Sequence, residues 1–505
     1  MKILFANPAY RIDLGDKYER YFFCAGTRCP WSLIKLKESL PRYSMFPFFM
    51  GCSAALLEQK GYEAEVIDAV PLNLSYDDFI KQSIAAKPDV ILLEPATTSI
   101  NWILSIAKTL KQIIKAKIIL AGSHVTVFAD ETLQNNSFVD YVLIGEYEFT
   151  LLSVIEMLDN KKIISEIDGI AYRNDSNEIR VIEKKTNTDI DLLPLPARHL
   201  FPSKNQSGIK YYHDGFCQNR PAVQLQSSRG CPFKCSFCLW TQTLYIPGTY
   251  RMMSASRVVN EMILVQEKFF AKEVYFDDDT FTGNKNHVLN ICNEIIKRKL
   301  KIPWSAMGDA IVTDEEMLLK MKEAGCIGIK FGLESGVYEI LKTINKPLNL
   351  TKLEELIEIC KRIKLKTHVS VSLGHLGETE NTIQQTLDYV VRLDTDSIQF
   401  SLATPYPGTL FYKQVVDKNL LKARDWNEYD PTHNPVINLP GISPEKLKII
   451  ESYAHSYWLR RKILKPVWVL RQIFFLLYIL KKQGIKGLLN RTKRAFDIIL
   501  YTKFK

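Results

Sequence analysis

Runs of apolar residues alternate with helical patterns over the first third of the chain. The apolar runs are Lys2–Ala6, Glu63–Asp68, Asp89–Glu94, Lys117–Ala121 and Asp140–Ile144. Nearly continuous apolar strands separated by helices are typical of a parallel sheet covered on both faces. The pattern therefore predicts an α/β domain with a doubly wound parallel sheet over residues 1–160.

The ends of these strands are rich in small, turn-forming residues. They read Asn7-Pro8, Pro95–Ser99, Gly122-Ser123-His124 and Gly145-Glu146. Doubly wound sheets bind ligands at the carboxyl ends of their strands, so these residues suit a flat, bulky ligand lying across the sheet edge. Ordinary β-to-α turns need the same residue types, and a purely structural edge is the alternative.

A second series of strands and helices follows a connector. Within the connector, residues 161–215, the segments Ile170–Arg173 and Ile179–Ile182 predict a hairpin. Over residues 216–415 six strands alternate with helical stretches; they are Ala222–Gln226, Glu273–Asp277, Ile302–Ala306, Ile327–Gly332, Thr367–Leu373 and Ser397–Ala403. Six such units, against eight in a complete barrel, predict an open or partial (β/α)6 barrel.

Residues 416–505 leave the barrel pattern and predict a helical region. Ser443 suits a helix N-cap with Pro444 at the first helical position, and Pro466 should break or kink that helix. The apolar stretch Ile473–Leu480 is shorter than the ~20 residues of a spanning helix. Apolar residues interleaved with Lys and Arg fit either an interfacial helix or a basic helical subdomain packed on the barrel.

Charge is unevenly distributed along the chain. The 505 residues carry 66 Lys and Arg against 56 Asp and Glu, a net +10, within an ordinary globular composition that excludes wholesale disorder. Residues 460–505 hold 13 basic residues and the single acid Asp497, so the remainder is close to neutral. A basic excess raises nucleic acid or an anionic membrane as partner. Its confinement to one segment disfavours nucleic acid and favours peripheral contact with a membrane.

The first apolar run is too short for a signal peptide, so we expect a cytoplasmic protein, with membrane contact at the inner face. In that reducing compartment clustered cysteines are metal ligands more often than disulfides. Cys231, Cys235 and Cys238 follow the first strand of the second series at spacings of four and three. Closed zinc and iron–sulfur sites use four protein ligands, so three leave one metal position open. Cys217 stays open as a fourth ligand, whereas Cys292, Cys326 and Cys360 suit small core residues.

Cys-x3-Cys-x-Phe-Cys after the first strand of a partial barrel resembles the signature of the radical S-adenosylmethionine (SAM) superfamily. The resemblance implies a [4Fe-4S] cluster held by Cys231, Cys235 and Cys238. It also implies that the amino and carboxylate groups of SAM chelate the fourth iron, and that an electron from the cluster releases a 5′-deoxyadenosyl radical. Phe237 matches the aromatic position near the adenine.

Other strand ends match cofactor contacts of that superfamily. A carboxylate, Asp278 or Asp279, would hold the methionine ammonium, because it pairs with a cation; a helix cap is the alternative for either. Glu334 and Ser335 would bind the ribose hydroxyls.

The segment Gly374–Thr379, with Gly377 and Glu378, resembles an adenine-side turn that usually reads Gly-Leu-Pro-Gly-Glu-Thr. Here His375 and Leu376 replace Leu-Pro, and His375 either faces substrate or is structural.

A doubly wound domain joined to this barrel resembles the cobalamin-binding subfamily of these enzymes, over residues ~1–415. The opening Ile3–Pro8 and Gly145-Glu146-x-Glu148 fit it, and Gly122, Ser123 and His124 would lie along the corrin or its nucleotide tail. The Asp-x-His-x-x-Gly loop that supplies a lower axial His elsewhere is absent, which argues against His ligation. A vestigial domain without cofactor is the alternative.

Short strings such as Phe237–Thr243 and Thr249-Tyr250-Arg251 look most like members that tailor hopanoids and other lipids. The resemblance implies C-methyl transfer to an unactivated carbon of a lipid or natural product: the radical abstracts hydrogen, and the substrate radical takes a methyl from methylcobalamin. An electron donor such as flavodoxin or ferredoxin would be needed. Cobalamin-assisted oxidation, cyclisation or rearrangement is the alternative, and a non-catalytic cobalamin sensor is disfavoured. RNA methylthiotransferases carry a second cluster, whose cysteine arrangement Cys24, Cys29 and Cys52 do not resemble.

Overall fold

The computed structural model describes residues 1–41, 43–187, 189–202, 212–466, 468–478, 480–481, 484–485 and 489. The strands of the N-terminal part are β1 (Lys2–Asn7), β2 (Tyr10–Asp13), β3 (Tyr18–Phe22), β4 (Ser32–Leu36), β5 (Glu63–Asp68), β6 (Val90–Leu93), β7 (Lys117–Leu120), β8 (Tyr141–Leu143), β9 (Ile170–Arg173) and β10 (Ile179–Ile182). Its helices are α1 (Phe48–Gln59), α2 (Ala69–Leu72), α3 (Tyr76–Ala86), α4 (Ile100–Ile113), α5 (Ser123–Val127), α6 (Ala129–Asn135) and α7 (Glu148–Leu158).

Seven strands form the first sheet in the order β10-β9-β8-β7-β6-β1-β5. The strands from β5 to β8 run parallel, as the apolar runs predicted, and fully buried side chains of β1, β6 and β7 fill both faces. The hairpin predicted in the connector forms β9 and β10, and β9 pairs antiparallel with β8. The sheet therefore continues beyond residue 160.

A three-stranded antiparallel sheet, β2-β3-β4, is inserted after β1 and was not predicted. Its strands carry charged side chains that pair with one another, for example Lys35 with Glu19 at 2.5 Å. This pairing hides the two-residue alternation of apolar positions by which a strand is normally recognised.

The second part is an open, curled parallel sheet with helices on its outer face. Its strands are β11 (Ala222–Leu225), β12 (Ser228–Gly230), β13 (Tyr250–Met252), β14 (Glu273–Phe276), β15 (Trp304–Gly308), β16 (Cys326–Glu334), β17 (Lys366–Leu373) and β18 (Ser397–Leu402). Its helices are α8 (Trp240–Thr243), α9 (Ala255–Phe269), α10 (Lys285–Lys297), α11 (Glu315–Glu323), α12 (Tyr338–Thr343), α13 (Leu350–Arg362), α14 (Glu380–Leu393) and α15 (Leu410–Asp417). The order β11-β14-β15-β16-β17-β18 confirms the six-stranded partial barrel, and β12 and β13 form a separate pair.

The C-terminal helix α16 (Pro444–Ile463) starts as predicted, because the Ser443 side chain accepts a hydrogen bond from the Lys446 amide and Pro444 occupies the first turn. It packs on α14 and β18, and the buried Lys462 ammonium lies 2.5 Å from an Asp394 carboxylate. Residues 468–478 are helical again beyond Pro466. Within the described part of the chain no helix combines the length and apolarity needed to cross a membrane.

Candidate functional site

The loop that carries Cys231, Cys235 and Cys238, called the cysteine loop below, begins directly after β12. It lies at the carboxyl end of β11. Gly230 precedes it with φ +86°, and a Cβ there would stand 2.2 Å from the Thr249 carbonyl oxygen, so only glycine fits. The Gln242 amide donates to the carbonyl oxygens of Cys235, Ser236 and Cys238 at 2.9–3.1 Å. One side chain of α8 therefore fixes the curvature of the loop.

The three thiols are partly exposed on this loop. Burial raises the pKa of the Cys235 thiol to about 12 and raises that of Cys238 as well. They are therefore protonated at neutral pH, and iron binding would release their protons. Among the described residues no three His, Cys, Asp or Glu side chains stand in a finished metal-binding arrangement.

The acidic run after β14 separates into residues with different partners. Asp278 is buried, and its oxygens accept bonds from the Ser227 amide at 2.7 Å, the Ser227 hydroxyl at 2.5 Å and the Ser228 hydroxyl at 2.8 Å. Asp279 accepts from the Gly230 amide at 2.9 Å, directly beside the cysteine loop. Asp278 thus secures the strand connection, and Asp279 is the carboxylate that contacts the residue before the first cysteine.

Glu334 and Ser335 also differ from each other in their hydrogen-bond partners. Glu334 has φ +65° at a register shift between β16 and β17, a strained conformation of the kind that collects at functional sites. Its carboxylate accepts from the Lys346 ammonium at 3.3 Å and the Ser372 hydroxyl at 3.2 Å. Ser335 is fully buried and accepts from the Val337 amide at 3.2 Å.

The turn after β17 is closed by its own glutamate. Glu378 accepts from the amides of Gly374 at 2.5 Å and His375 at 3.0 Å, and Gly377 has φ +86°. Burial raises the pKa of Glu378 to about 7, and its other oxygen has no hydrogen-bond partner in the described part of the chain.

His375 is fully buried, with Nε2 2.6 Å from the Ser372 hydroxyl and its ring 5.5 Å from the Phe237 ring. Burial favours the structural one of the two roles expected for this histidine. Phe237 rests on it at the edge of the loop.

Gly122, Ser123 and His124 lie at the carboxyl edge of the first sheet, directly after β7. Gly122 has φ +109°, and a Cβ there would crowd Glu94 and the Pro95 carbonyl at 3.1 and 3.2 Å. The His124 ring packs edge-on against Trp426 at 5.0 Å, and burial lowers its pKa to about 4. This neutral histidine is therefore covered by the segment that follows the barrel.

The loop between β3 and β4 reaches from the first domain to the acidic run after β14. The Arg28 guanidinium contacts Asp277 at 2.8 Å and Asp279 at 2.9 Å, and it lies 5.1 Å from the centre of the Trp240 ring. The next residue, Cys29, is exposed.

The role of this loop was not predicted from the sequence. A signal was present, because three consecutive aspartates need a cation and Gly26-Thr27-Arg28-Cys29-Pro30 offers one inside a turn.

A second bridge joins the domains through buried charges. Arg229, two residues before Cys231, lies 3.0 Å from Glu146 and 2.7 Å from Glu148, and all three are buried. Arg251 contacts the other oxygen of Glu146 at 2.6 Å. Although burial opposes its charge, the two glutamates raise the pKa of Arg229. The Gly145-Glu146-x-Glu148 strand end therefore clamps the start of the cysteine loop.

The arrangement defines a class of enzyme that holds a cysteine-ligated cluster against a doubly wound domain. The family model for the radical SAM superfamily matches residues 225–390, and that for the B12 binding domain matches residues 45–155. The chain therefore carries a B12-binding domain followed by a radical SAM domain. This confirms the predicted fold class and the expected set of a [4Fe-4S] cluster, SAM and cobalamin.

Several curated proteins are similar over most of the chain. An uncharacterized methyltransferase of Pyrococcus horikoshii is 29% identical, covering 86% of this chain and 92% of its own. The cytidylyl-2-hydroxyethylphosphonate methyltransferase of Streptomyces wedmorensis is 26% identical (80% and 84%), and the hopanoid C-3 methylase of Methylococcus capsulatus is 23% identical (81% and 74%). An anaerobic magnesium-protoporphyrin IX monomethyl ester cyclase of Rubrivivax gelatinosus is 24% identical (76% and 68%).

A solved structure has the same fold. The cobalamin-dependent S-adenosylmethionine radical enzyme OxsB, with aqua-cobalamin and S-adenosylmethionine bound, superposes with a TM-score of 0.66 at 15% identity and covers 98% of this chain and 80% of its own.

The residues present fit the groups that this family binds. A loop that carries three cysteines and is held in shape by Gln242 suits an iron–sulfur cluster. Asp279 beside it carries a carboxylate of the kind that pairs with an ammonium group. At the edge of the first sheet, the Gly122 turn leaves no room for a side chain. The neighbouring Thr98 hydroxyl is buried and has no hydrogen-bond partner in the described part of the chain.

Proposed function

We propose that the protein is a cobalamin-dependent radical SAM methyltransferase that methylates an unactivated carbon of a lipid or natural-product substrate. The observation that carries this proposal is the pair of bridges between the domains. Glu146 and Glu148 clamp Arg229, and Arg28 reaches Asp277 and Asp279, so the edge of the B12-binding domain and the cysteine loop border one space.

Residue roles in this proposal follow from their contacts. Cys231, Cys235 and Cys238 hold the cluster, Asp279 binds the SAM ammonium, and Glu334 accepts from the ribose. Phe237 and the turn closed by Glu378 border the adenine, and Gly122, Ser123 and His124 border the corrin. When bound, these cofactors supply a 5′-deoxyadenosyl radical and a transferable methyl group, while the protein orients them and excludes water.

The test is anaerobic reconstitution with iron, sulfide and cobalamin, followed by reduction in the presence of methyl-labelled SAM. We expect 5′-deoxyadenosine from the wild type. Cys235→Ala should make none and lose iron, whereas Cys292→Ala, a buried cysteine of α10, should retain both.

Bacterial lipid extracts and small-molecule fractions then serve as substrate sources. Label recovered in a product supports methyl transfer. Product formed without label would instead favour oxidation, cyclisation or rearrangement, the kind of chemistry named for the cyclase relative. A wild-type protein that binds cobalamin but makes no 5′-deoxyadenosine would contradict the catalytic proposal.

We further propose two partners. One is a small electron donor of the flavodoxin or ferredoxin class, which would reduce the cluster. The other is an anionic membrane, contacted peripherally by the basic residues 460–505 at the inner, cytoplasmic face; Leu470, Phe474 and Leu477 there are more than half exposed. Deleting residues 482–505, which leaves the packed helix α16 intact, should weaken binding to anionic vesicles.

A further inference from the structure

A basic cavity lies at the foot of the partial barrel, at the amino-terminal ends of its strands. Its volume is about 780 Å³. The cysteine loop lies at the opposite ends of the same strands, and the eight residues of β17 separate the two ends by roughly 26 Å at ~3.3 Å per residue. The cavity is therefore separate from the proposed active site.

The lining of this cavity is strongly cationic. Among its fourteen lining residues six are Lys or Arg and none is acidic; the six are Arg220, Lys272, Lys301, Lys322, Lys364 and Lys366. Glu273, the residue after Lys272, is buried and already accepts from the amides of Gln218 and Asn219 at 2.8 and 2.7 Å. Such a concentration of positive charge is the arrangement that recognises phosphate groups.

The helix formed by residues 468–478 borders this cavity. Tyr478 lines it and donates to the Asn219 side chain at 2.7 Å, and the Lys366 ammonium lies 4.3 Å from the centre of the Phe475 ring. The helix is therefore placed against the foot of the barrel.

The same helix presents an exposed apolar face. Leu470, Ile473, Phe474 and Leu477 are 54%, 47%, 69% and 53% exposed. Their spacing of three and four residues places them on one side of the helix. An apolar helical face beside a cluster of cations is the combination that binds anionic bilayers at the interface.

We infer that this foot is the membrane-docking site of the protein: the cavity takes the phosphate head groups of anionic lipids, and the face of residues 470–477 enters the bilayer interface. The inference rests on the proposed membrane contact and adds its site. It also sets an orientation, with the active-site end directed away from the bilayer.

The test is co-sedimentation of the full-length protein with phosphatidylcholine vesicles that contain or lack phosphatidylglycerol. We expect binding only to the anionic vesicles. Replacing Lys272, Lys301 and Lys364 by Gln should weaken binding roughly a hundredfold, because each surface lysine contributes about fivefold. The matched control replaces Lys81, Lys108 and Lys115, three exposed lysines of the first domain, and should change binding much less.

The apolar face is tested by Phe474→Ser with Leu477→Ser, which should also weaken binding. If the Lys272/Lys301/Lys364 variant binds anionic vesicles as strongly as the wild type, the cavity is not the docking site, although the membrane contact itself would still hold. No binding by the wild type would overturn both. Millimolar inorganic pyrophosphate at constant ionic strength should release bound protein, because it competes for the same lysines. Pyrophosphate binding that is lost in the Lys272/Lys301/Lys364 variant, together with no preference of the wild type for anionic vesicles, would show that the cavity serves a soluble phosphate compound and would overturn the lipid assignment.

Discussion

At the scale of single residues, Arg28 neutralises the acidic run beside the cysteine loop. Its guanidinium spans two carboxylates, Asp277 and Asp279, which a lysine ammonium cannot do with the same geometry.

We expect Arg28→Lys to reduce 5′-deoxyadenosine formation at least about tenfold, since a shift of Asp279 by a fraction of an ångström misplaces its ligand. Iron content per chain, measured after reconstitution, should stay at the wild-type value. Arg180→Lys, at an exposed pair with Glu178, is the control. Equal rates in both variants would show that Arg28 does not position the site.

Glu94 makes folding depend on pH. It is buried at the end of β6, accepts from the Gly26 amide and the Tyr147 hydroxyl, and burial raises its pKa to about 7. A folded-state pKa above the unfolded value gives stability that is present at low pH and is lost as pH rises toward 7.

Glu94→Gln should therefore gain thermal stability relative to the wild type between pH 5 and pH 8, by at most about 3 kcal/mol. Unfolding curves at the two pH values measure this gain, with the exposed Glu355→Gln as reference. A difference from the wild type that does not change with pH would contradict the assignment.

At the scale of elements, the curvature of the cysteine loop depends on α8. The Gln242 amide donates to three loop carbonyls, and removing it would leave these part-buried acceptors without their donor.

Gln242→Leu should lower the iron bound after reconstitution by about half or more, because the loop no longer holds its ligands in register. Gln385→Leu, on the exposed face of α14, should bind iron like the wild type. Both are read by iron analysis and the cluster absorbance. Full iron content in the first variant would show that the cysteines set the loop by themselves.

The strands that place the site could be predicted because each is a nearly continuous apolar run, whereas β2 to β4 could not, since their charges pair only after distant segments meet. The dependence on distant contacts also limits how well the site residues could be predicted. The sequence indicates that one of Asp278 and Asp279 faces the cofactor. Only the fold shows that the hydroxyls of Ser227 and Ser228 donate hydrogen bonds to the Asp278 carboxylate. The buried positions of Ser335 and His375 likewise depend on the packing of α14 and the Phe237 ring.

At the scale of the whole molecule, the buried cluster of Arg229, Glu146 and Glu148 couples the domains. Removing one partner of a buried ion pair costs about 3–5 kcal/mol, because the remaining charges lose their compensation.

Arg229→Met should therefore destabilise the protein by that amount and reduce iron binding at Cys231. Combining it with Glu146→Gln and Glu148→Gln should restore part of the stability, since the unpaired charges are gone. Chemical denaturation measures each variant. A combined variant less stable than Arg229→Met alone would argue against charge compensation as the cause.

The position of Arg229 also governs how the protein can be divided. Its glutamate partners belong to the first domain, while the arginine lies some eighty residues later, beyond the connector. A fragment that stops before the barrel would leave Glu146 and Glu148 without Arg229, and a fragment that starts at the barrel would leave Arg229 without its carboxylates. We expect each fragment to be less stable than the same segment in the whole chain.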